Sequence, residues 1–156
     1  MSYFPEPKRN FKVENIYNGS RDGWETGIFK QKVFNKGPTL IILKTTEGAI
    51  CGGYTSKNWD GSGKYTDDID AFVFNMTHKY IPNDRQKAIL TCSKGFCFGY
   101  NILAVTSDTT LNQHNEGRCW TGKDRYYDIE GDVSPLTNQK DIFTCAQLEV
   151  YKVIYS

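Results

Sequence analysis

Long hydrophobic runs are missing from this sequence. Its apolar stretches reach only four residues, as at 40–43, where a helix crossing a bilayer needs about 20, so no transmembrane segment is expected. An excess of one charge is missing too. Nineteen Lys and Arg stand against eighteen Asp and Glu, a formal charge of +1, and bulk charge therefore draws the chain to neither polyphosphate nor an anionic bilayer. A nucleic-acid partner is not expected. Histidine is scarce, with only His78 and His114, which leaves little material for a metal centre or a general base. The amino terminus has Pro5, Pro7, Lys8 and Arg9 where a secretory leader would have an apolar stretch of about 7–15 residues, so a cytoplasmic location is expected. In that reducing setting Cys51, Cys92, Cys97, Cys119 and Cys145, odd in number and irregular in spacing, read as small buried hydrophobes rather than a disulfide framework.

What is present favours a folded chain. A hydrophobic fraction of 38% with 14% aromatics is too apolar for intrinsic disorder, and 156 residues suffice for one domain that buries roughly 70% of its extended surface. Residues 1–12 lack helical or strand periodicity and read as an extended arm, whose Tyr3, Phe4, Lys8 and Arg9 are candidates for contact with a partner. The domain proper is expected at 13–156. Asp22 and Glu25 have capping-box spacing and predict a helix over 24–34 with Ile28, Phe29 and Val33 on its buried face. After Gly37-Pro38, a β-branched run at 39–45, a reversal at Glu47-Gly48 and a second run at 49–55 predict a hairpin buried on at least one face. Residues 57–70 are polar, with Trp59 as the single apolar anchor. Further short apolar runs at 71–77, 87–92, 96–98, 102–105 and 145–155 predict an α+β fold dominated by antiparallel sheet.

Catalytic and ligand-binding motifs break down on inspection. Gly61-Ser62-Gly63-Lys64 lacks the glycine a phosphate loop needs at Asn58 and the hydroxyl it needs at Tyr65. Asp67, Asp68 and Asp70 lie in no calcium-loop pattern and read as turn and capping carboxylates. No cysteine and histidine spacing suits structural zinc. Neither a metal nor a cofactor is expected. Thiol chemistry is the remaining enzymatic reading, with Cys97 and Cys119 chosen because glycine, lysine or arginine beside them would expose or acidify the thiol.

Five segments taken together, Ser20-Arg21-Asp22-Gly23-Trp24, Lys36-Gly37-Pro38-Thr39-Leu40, Gly52-Gly53-Tyr54-Thr55-Ser56 with Trp59, Asp70-Ala71-Phe72-Val73-Phe74 and Glu149-Val150-Tyr151, closely resemble the TLDc domain in order and spacing. The resemblance covers about 13–156. It implies two antiparallel β-sheets packed as a sandwich with short peripheral helices, and it marks Trp24, Gly37, Pro38, Gly52, Gly53, Trp59 and Glu149 as structural anchors. It also implies a non-enzymatic protein-interaction role, linked in the family to oxidative-stress resistance and to the vacuolar-type proton ATPase on the cytosolic face of an organelle. Two departures remove carboxylates: Gln147 stands where the family has Glu in Glu-x-Glu-Val, and an Asp is missing near Phe98-Gly99-Tyr100-Asn101. These losses and the minimal arm-plus-domain plan suggest an alternative, an accessory subunit of a large complex such as a ciliary microtubule lattice. A thiol-dependent antioxidant enzyme is the third reading.

Overall fold

The computed structural model describes residues 10–81, 87–99, 102–112, 117–118 and 142–155. Strand β1 (Phe11–Asn18) leads into a single helical turn, α1 (Gly19–Asp22), and helix α2 (Thr26–Val33). Strands β2 (Thr39–Thr45) and β3 (Ile50–Thr55) form the expected hairpin, turning at Gly48 with φ 93°. Nine further strands follow among the described residues: β4 (Tyr65–Thr66), β5 (Phe72–Asn75), β6 (Lys79–Tyr80), β7 (Ile89–Leu90), β8 (Gly95–Phe98), β9 (Leu103–Thr106), β10 (Gly117–Arg118), β11 (Ile142–Phe143) and β12 (Cys145–Tyr155).

The strands make two six-stranded sheets, ordered β1-β12-β2-β3-β5-β6 and β11-β10-β9-β8-β7-β4. Neighbours in both pair antiparallel. The fold is an α+β sandwich with two short helices among the described residues.

The helical segment differs from its sequence expectation, and the cause is Gly23. Its φ of 112° breaks the chain between the two carboxylates that would have formed one cap. Asn18 starts the helical path instead, its Oδ1 accepting from the amides of Ser20 (3.0 Å) and Arg21 (3.3 Å). Asp22 ends α1 and accepts from the Asn18 amide at 2.9 Å. Glu25 precedes α2 without a side-chain cap. Its backbone bridges Thr110, and the Thr26 amide donates to Thr109 O at 2.9 Å, so the chain here is held by β-type pairing rather than by helical capping. Phe29 and Val33 of α2 are buried, while Ile28 is half-buried.

The main core fills the space between the sheets. Ile41, Leu43, Cys51, Val73, Leu148 and Val150 of the first sheet face Ile89, Phe96, Phe98, Leu103 and Val105 of the second. An aromatic chain runs through it: Tyr17 meets Phe29 edge-on at 5.2 Å, Phe29 lies 6.3 Å from Phe96, and Trp59 packs edge-on against Phe98 at 5.3 Å. The edge-on contacts set ring edges against ring faces, the arrangement that the aromatic quadrupole favours. Because residues alternate between faces along a strand, Leu40, Tyr54, Phe72, Phe74, Val153 and Tyr155 form a second apolar cluster on the opposite side of the first sheet.

At Gly53 the backbone of the first sheet lies directly under a ring of the second. A Cβ at this position would stand 2.4 Å from the Phe98 ring, and Phe98 is held by Trp59 and fully buried. Gly53→Ala is therefore expected to lower stability by about 1–3 kcal/mol through overpacking, read from chemical denaturation. Adding Phe98→Leu should recover part of that loss.

Candidate functional site

The loop after β3 is tied to the start of β2 by residues singled out in the sequence. Gly37, with φ 81°, turns the chain so that its amide donates to Asn58 Oδ1 at 2.7 Å. Pro38 follows, and its carbonyl accepts the Val153 amide at 3.0 Å, which aligns β2 with β12. Trp59 is buried at 1% exposure, and its Nε1 donates to Thr39 Oγ1 at 3.0 Å, so the indole is satisfied while its rings enter the core. Trp24 lies half-buried against Gly19, and its carbonyl takes the Leu111 amide at 2.8 Å. At Gly52 a Cβ would stand 2.0 Å from the Ile41 carbonyl oxygen and 2.8 Å from the Phe74 ring.

Asp68, one of several carboxylates in this polar stretch, gathers donors from two segments. Asp68 is 1% exposed. It accepts from the Thr55 hydroxyl (2.6 Å), the Ser56 hydroxyl and amide (both 2.7 Å) and the Asp70 amide (3.0 Å). Four donors from two segments compensate the loss of water around the charge. Thr55 and Ser56 lie more than ten positions from Asp68, and no local spacing signals that they meet it.

Glu149 belongs to a polar corner at the β1 edge of the first sheet. Its Oε1 accepts from Asn18 Nδ2 at 3.3 Å, and Oε2 accepts from the Tyr151 hydroxyl. That hydrogen bond, more than burial, raises the pKa of the tyrosine above its ordinary value. Beside them the Arg21 guanidinium donates to both oxygens of Asp22 at 2.9 Å. Together with the Asn18 amide it lowers the Asp22 carboxyl to about 2. Asn15 donates to the carbonyls of Tyr17 (3.1 Å) and Val150 (3.4 Å), where a bulge interrupts the β1–β12 register. Behind this corner the Tyr17 hydroxyl donates to Gly23 O at 2.7 Å, and burial drives its pKa far above the usual tyrosine value. In this corner the carboxylates of Asp22 and Glu149 both accept from donors already in place.

Of the two thiols chosen for the antioxidant reading, the described residues include Cys97. Cys97 is only 2% exposed, and its Sγ donates to Gly99 O at 3.4 Å; the flanking glycine does not open it to solvent, because β8 is buried along its whole length. Burial pushes the Cys145 thiol up to about 12 and raises that of Cys92. Among the described residues no group of three or more His, Cys, Asp or Glu side chains is placed to hold a metal ion. No described helix is long and apolar enough to cross a membrane. Cys119, His114 and the arm residues Tyr3, Phe4, Lys8 and Arg9 lie outside the described residues.

The segments that carried the resemblance thus sit together in one sandwich, and the family model described as the TLDc domain matches residues 1–154. The chain belongs to the TLDc family. Over 136 residues it is 39% identical to the MTOR-associated protein MEAK7 of Gallus gallus, a match covering 78% of this chain and 27% of that protein. The protein of the same name from Danio rerio is 33% identical over 42 residues, 27% of this chain and 9% of that relative. The TLDc chain described here therefore spans a minor part of the length of these curated relatives.

The charged groups lend themselves to measurement. Asp68→Ala leaves four buried or half-buried donors short of an acceptor and is expected to cost about 2–4 kcal/mol, measured by urea denaturation, with protease sensitivity rising in the loop after β3. Asp22 has its folded pKa depressed to about 2 from 3.8, so its stabilisation is complete above the unfolded value and disappears as pH falls through the folded one. Asp22→Asn should lower the melting temperature at neutral pH, and the difference from wild type should close as the pH approaches 2.

Proposed function

We propose that this chain is a non-enzymatic docking module that binds a protein partner within a multi-subunit assembly, with residues 13–156 as its body and residues 1–12 as an arm. The observation that carries this reading is the use made of the family's marked side chains. Gly37, Pro38, Gly52, Gly53, Trp24 and Trp59 serve turns, strand spacing and core packing, and Glu149 fixes a polar corner. Residues used in this way support a surface of definite shape and charge, and such surfaces act by recognition. The corner around Arg21, Asp22, Glu149 and Tyr151 is the proposed docking surface, joined by the exposed Phe11 and Val13 of β1 and by the arm with Tyr3, Phe4, Lys8 and Arg9.

The family resemblance favours the vacuolar-type proton ATPase as partner, on the cytosolic face of an organelle, and a part in resistance to oxidative stress. The names of the MEAK7 relatives favour a second partner, an assembly containing the MTOR kinase. Affinity capture on the tagged chain from native extract is expected to recover proton-ATPase subunits in stoichiometric amounts, and Arg21→Glu should reduce the recovery. Recovery of the kinase assembly in their place would move the module to the second partner, and recovery of microtubule components would move it to a ciliary lattice. Isolation of the bare chain under gentle conditions would overturn docking altogether. Purified protein is expected to leave peroxide unconsumed. Peroxide turnover that disappears in Cys97→Ser or Cys119→Ser would replace the module with an enzyme.

A further inference from the structure

Strand β1 stands at the rim of the first sheet, and among the described residues it pairs with β12 alone. In an antiparallel ladder the amide and carbonyl of one residue point the same way, and the direction alternates along the strand. The Val153 amide donates to Pro38 O on the β2 side, so Val153 turns its polar groups away from β1. Val13, its register partner, is then a non-hydrogen-bonded position against β12, and its own N–H and C=O point outward from the sheet. Phe11 and Asn15 share that orientation by alternation, whereas Lys12 and Glu14 turn theirs toward β12. The side chains at 11–14 are all exposed, Val13 at 46%. Residues 11–15 keep regular register with β12, and the bulge between Asn15 and Tyr17 then bends the strand. The flat part of the rim is thus short, and Val13 is its midpoint.

The charges beside Val13 decide what this rim accepts. A lysine on a rim strand discourages pairing with arbitrary chains, and Lys12 does so here. A second β1 laid antiparallel meets the first in three registers that bring outward-pointing groups together over three or more residues of the 11–15 stretch. Two of them set a charge against its own kind, Lys12 on Lys12 or Glu14 on Glu14. The third sets Val13 on Val13, pairs all of 11–15, and places Lys12 of each copy opposite Glu14 of the other. In that register Val13 with Val13 is a hydrogen-bonded pair. Lys12 with Glu14 is a non-hydrogen-bonded pair, whose Cα atoms lie about 4.5 Å apart and whose side chains come closest. Glu14 already has Lys152 across from it on β12, whereas Lys12 has Ile154, so the second copy gives the lysine the opposite charge that its own sheet does not.

We propose that the rim of β1 is a pairing site for a second copy of this chain, an antiparallel β1–β1 contact centred on Val13 that joins the two first sheets edge to edge. The match is self-complementary, as a two-fold interface requires. It covers few residues on each copy, so the dimer is weak and dissociates at roughly 10–100 μM. The pairing does not rest on the docking reading above and refines it. Val13 goes to the second copy, and the corner around Arg21 and Glu149, at the other end of β1, remains for a partner.

Sedimentation of the full chain over a concentration series reaching roughly 0.5 mM should show a monomer–dimer equilibrium that weakens as salt is raised. Val13→Pro removes the outward amide without breaking a bond to β12, and it should weaken the dimer about tenfold or more while the melting temperature measured in dilute solution stays close to that of the unmodified chain. Lys12→Glu and Glu14→Lys each set like charges across the contact and should sediment as monomers. An equimolar mixture of those two variants should dimerise again, because each supplies the charge that the other needs. A chain that is monomeric throughout the series overturns the pairing. So does a dimer that survives Val13→Pro and both charge variants, which would place the contact elsewhere. A monomeric chain whose capture of a larger assembly is abolished by Val13→Pro also overturns it, giving the rim to a strand of that assembly. Failure of a dimerising chain to capture any assembly counts against the docking module and leaves the pairing standing.

Discussion

The contact on which the sandwich depends is the seat of the Phe98 ring on Gly53, with Trp59 set edge-on against it. It joins the middle of one sheet to the middle of the other, and it holds the loop after β3 in the same grip, because the indole belongs to that loop and donates to Thr39 at the first residue of β2. Backbone spacing, inter-sheet packing and loop position are thus fixed by one group of atoms. A larger residue at Gly53 lifts the second sheet; a smaller one at Trp59 releases the loop. The buried Asp68 works on the same loop from its far end, so a polar stretch with little apolar content of its own is held by an indole at one end and a carboxylate at the other.

The first sheet serves two interiors at once. Leu40, Ile41, Ile42 and Leu43 lie consecutively on β2, and alternation sends Ile41 and Leu43 between the sheets while Leu40 joins Tyr54, Phe72 and Val153 on the other side. Water-facing polar residues are not available to those positions. The polar side chains gather at the β1 edge instead, where Asn15, Asn18, Arg21, Asp22, Glu149 and Tyr151 form a hydrogen-bonded group. The first sheet thus has apolar side chains in its middle and fixed charge at its β1 rim.

Strands carrying consecutive β-branched or aromatic residues were legible in the sequence. The 39–45 and 49–55 hairpin and the terminal strand emerge in the structure within a residue of expectation, since each announces itself by local pattern. The helix beginning near Trp24 was not legible as it occurs. Asp22 and Glu25 satisfy the spacing of a cap, and only the positive φ of Gly23 and the bridge from Glu25 to Thr110 show that the segment is recruited by a stretch distant in sequence. Asp68 was hidden for a related reason: its partners come from another segment, and a buried carboxylate in an Asp-rich loop looks like its solvated neighbours. The anchors that the family resemblance marked say where shape is made. The polar corner around Glu149 becomes visible only when β1 and β12 lie side by side.

The position of β12 bears on how the chain is made. Leu43 of β2 pairs with Leu148, and Val150 pairs with Ile41, so the neighbour of β2 is synthesised about a hundred residues later. At translation speeds of about 5–20 residues per second, β2 emerges with an unfilled flank for some 5–20 seconds. During that interval the nascent hairpin presents unpaired amides and carbonyls beside two apolar faces, a template for promiscuous strand addition. Closure of that flank by β12 is thus the last step that the topology allows during synthesis.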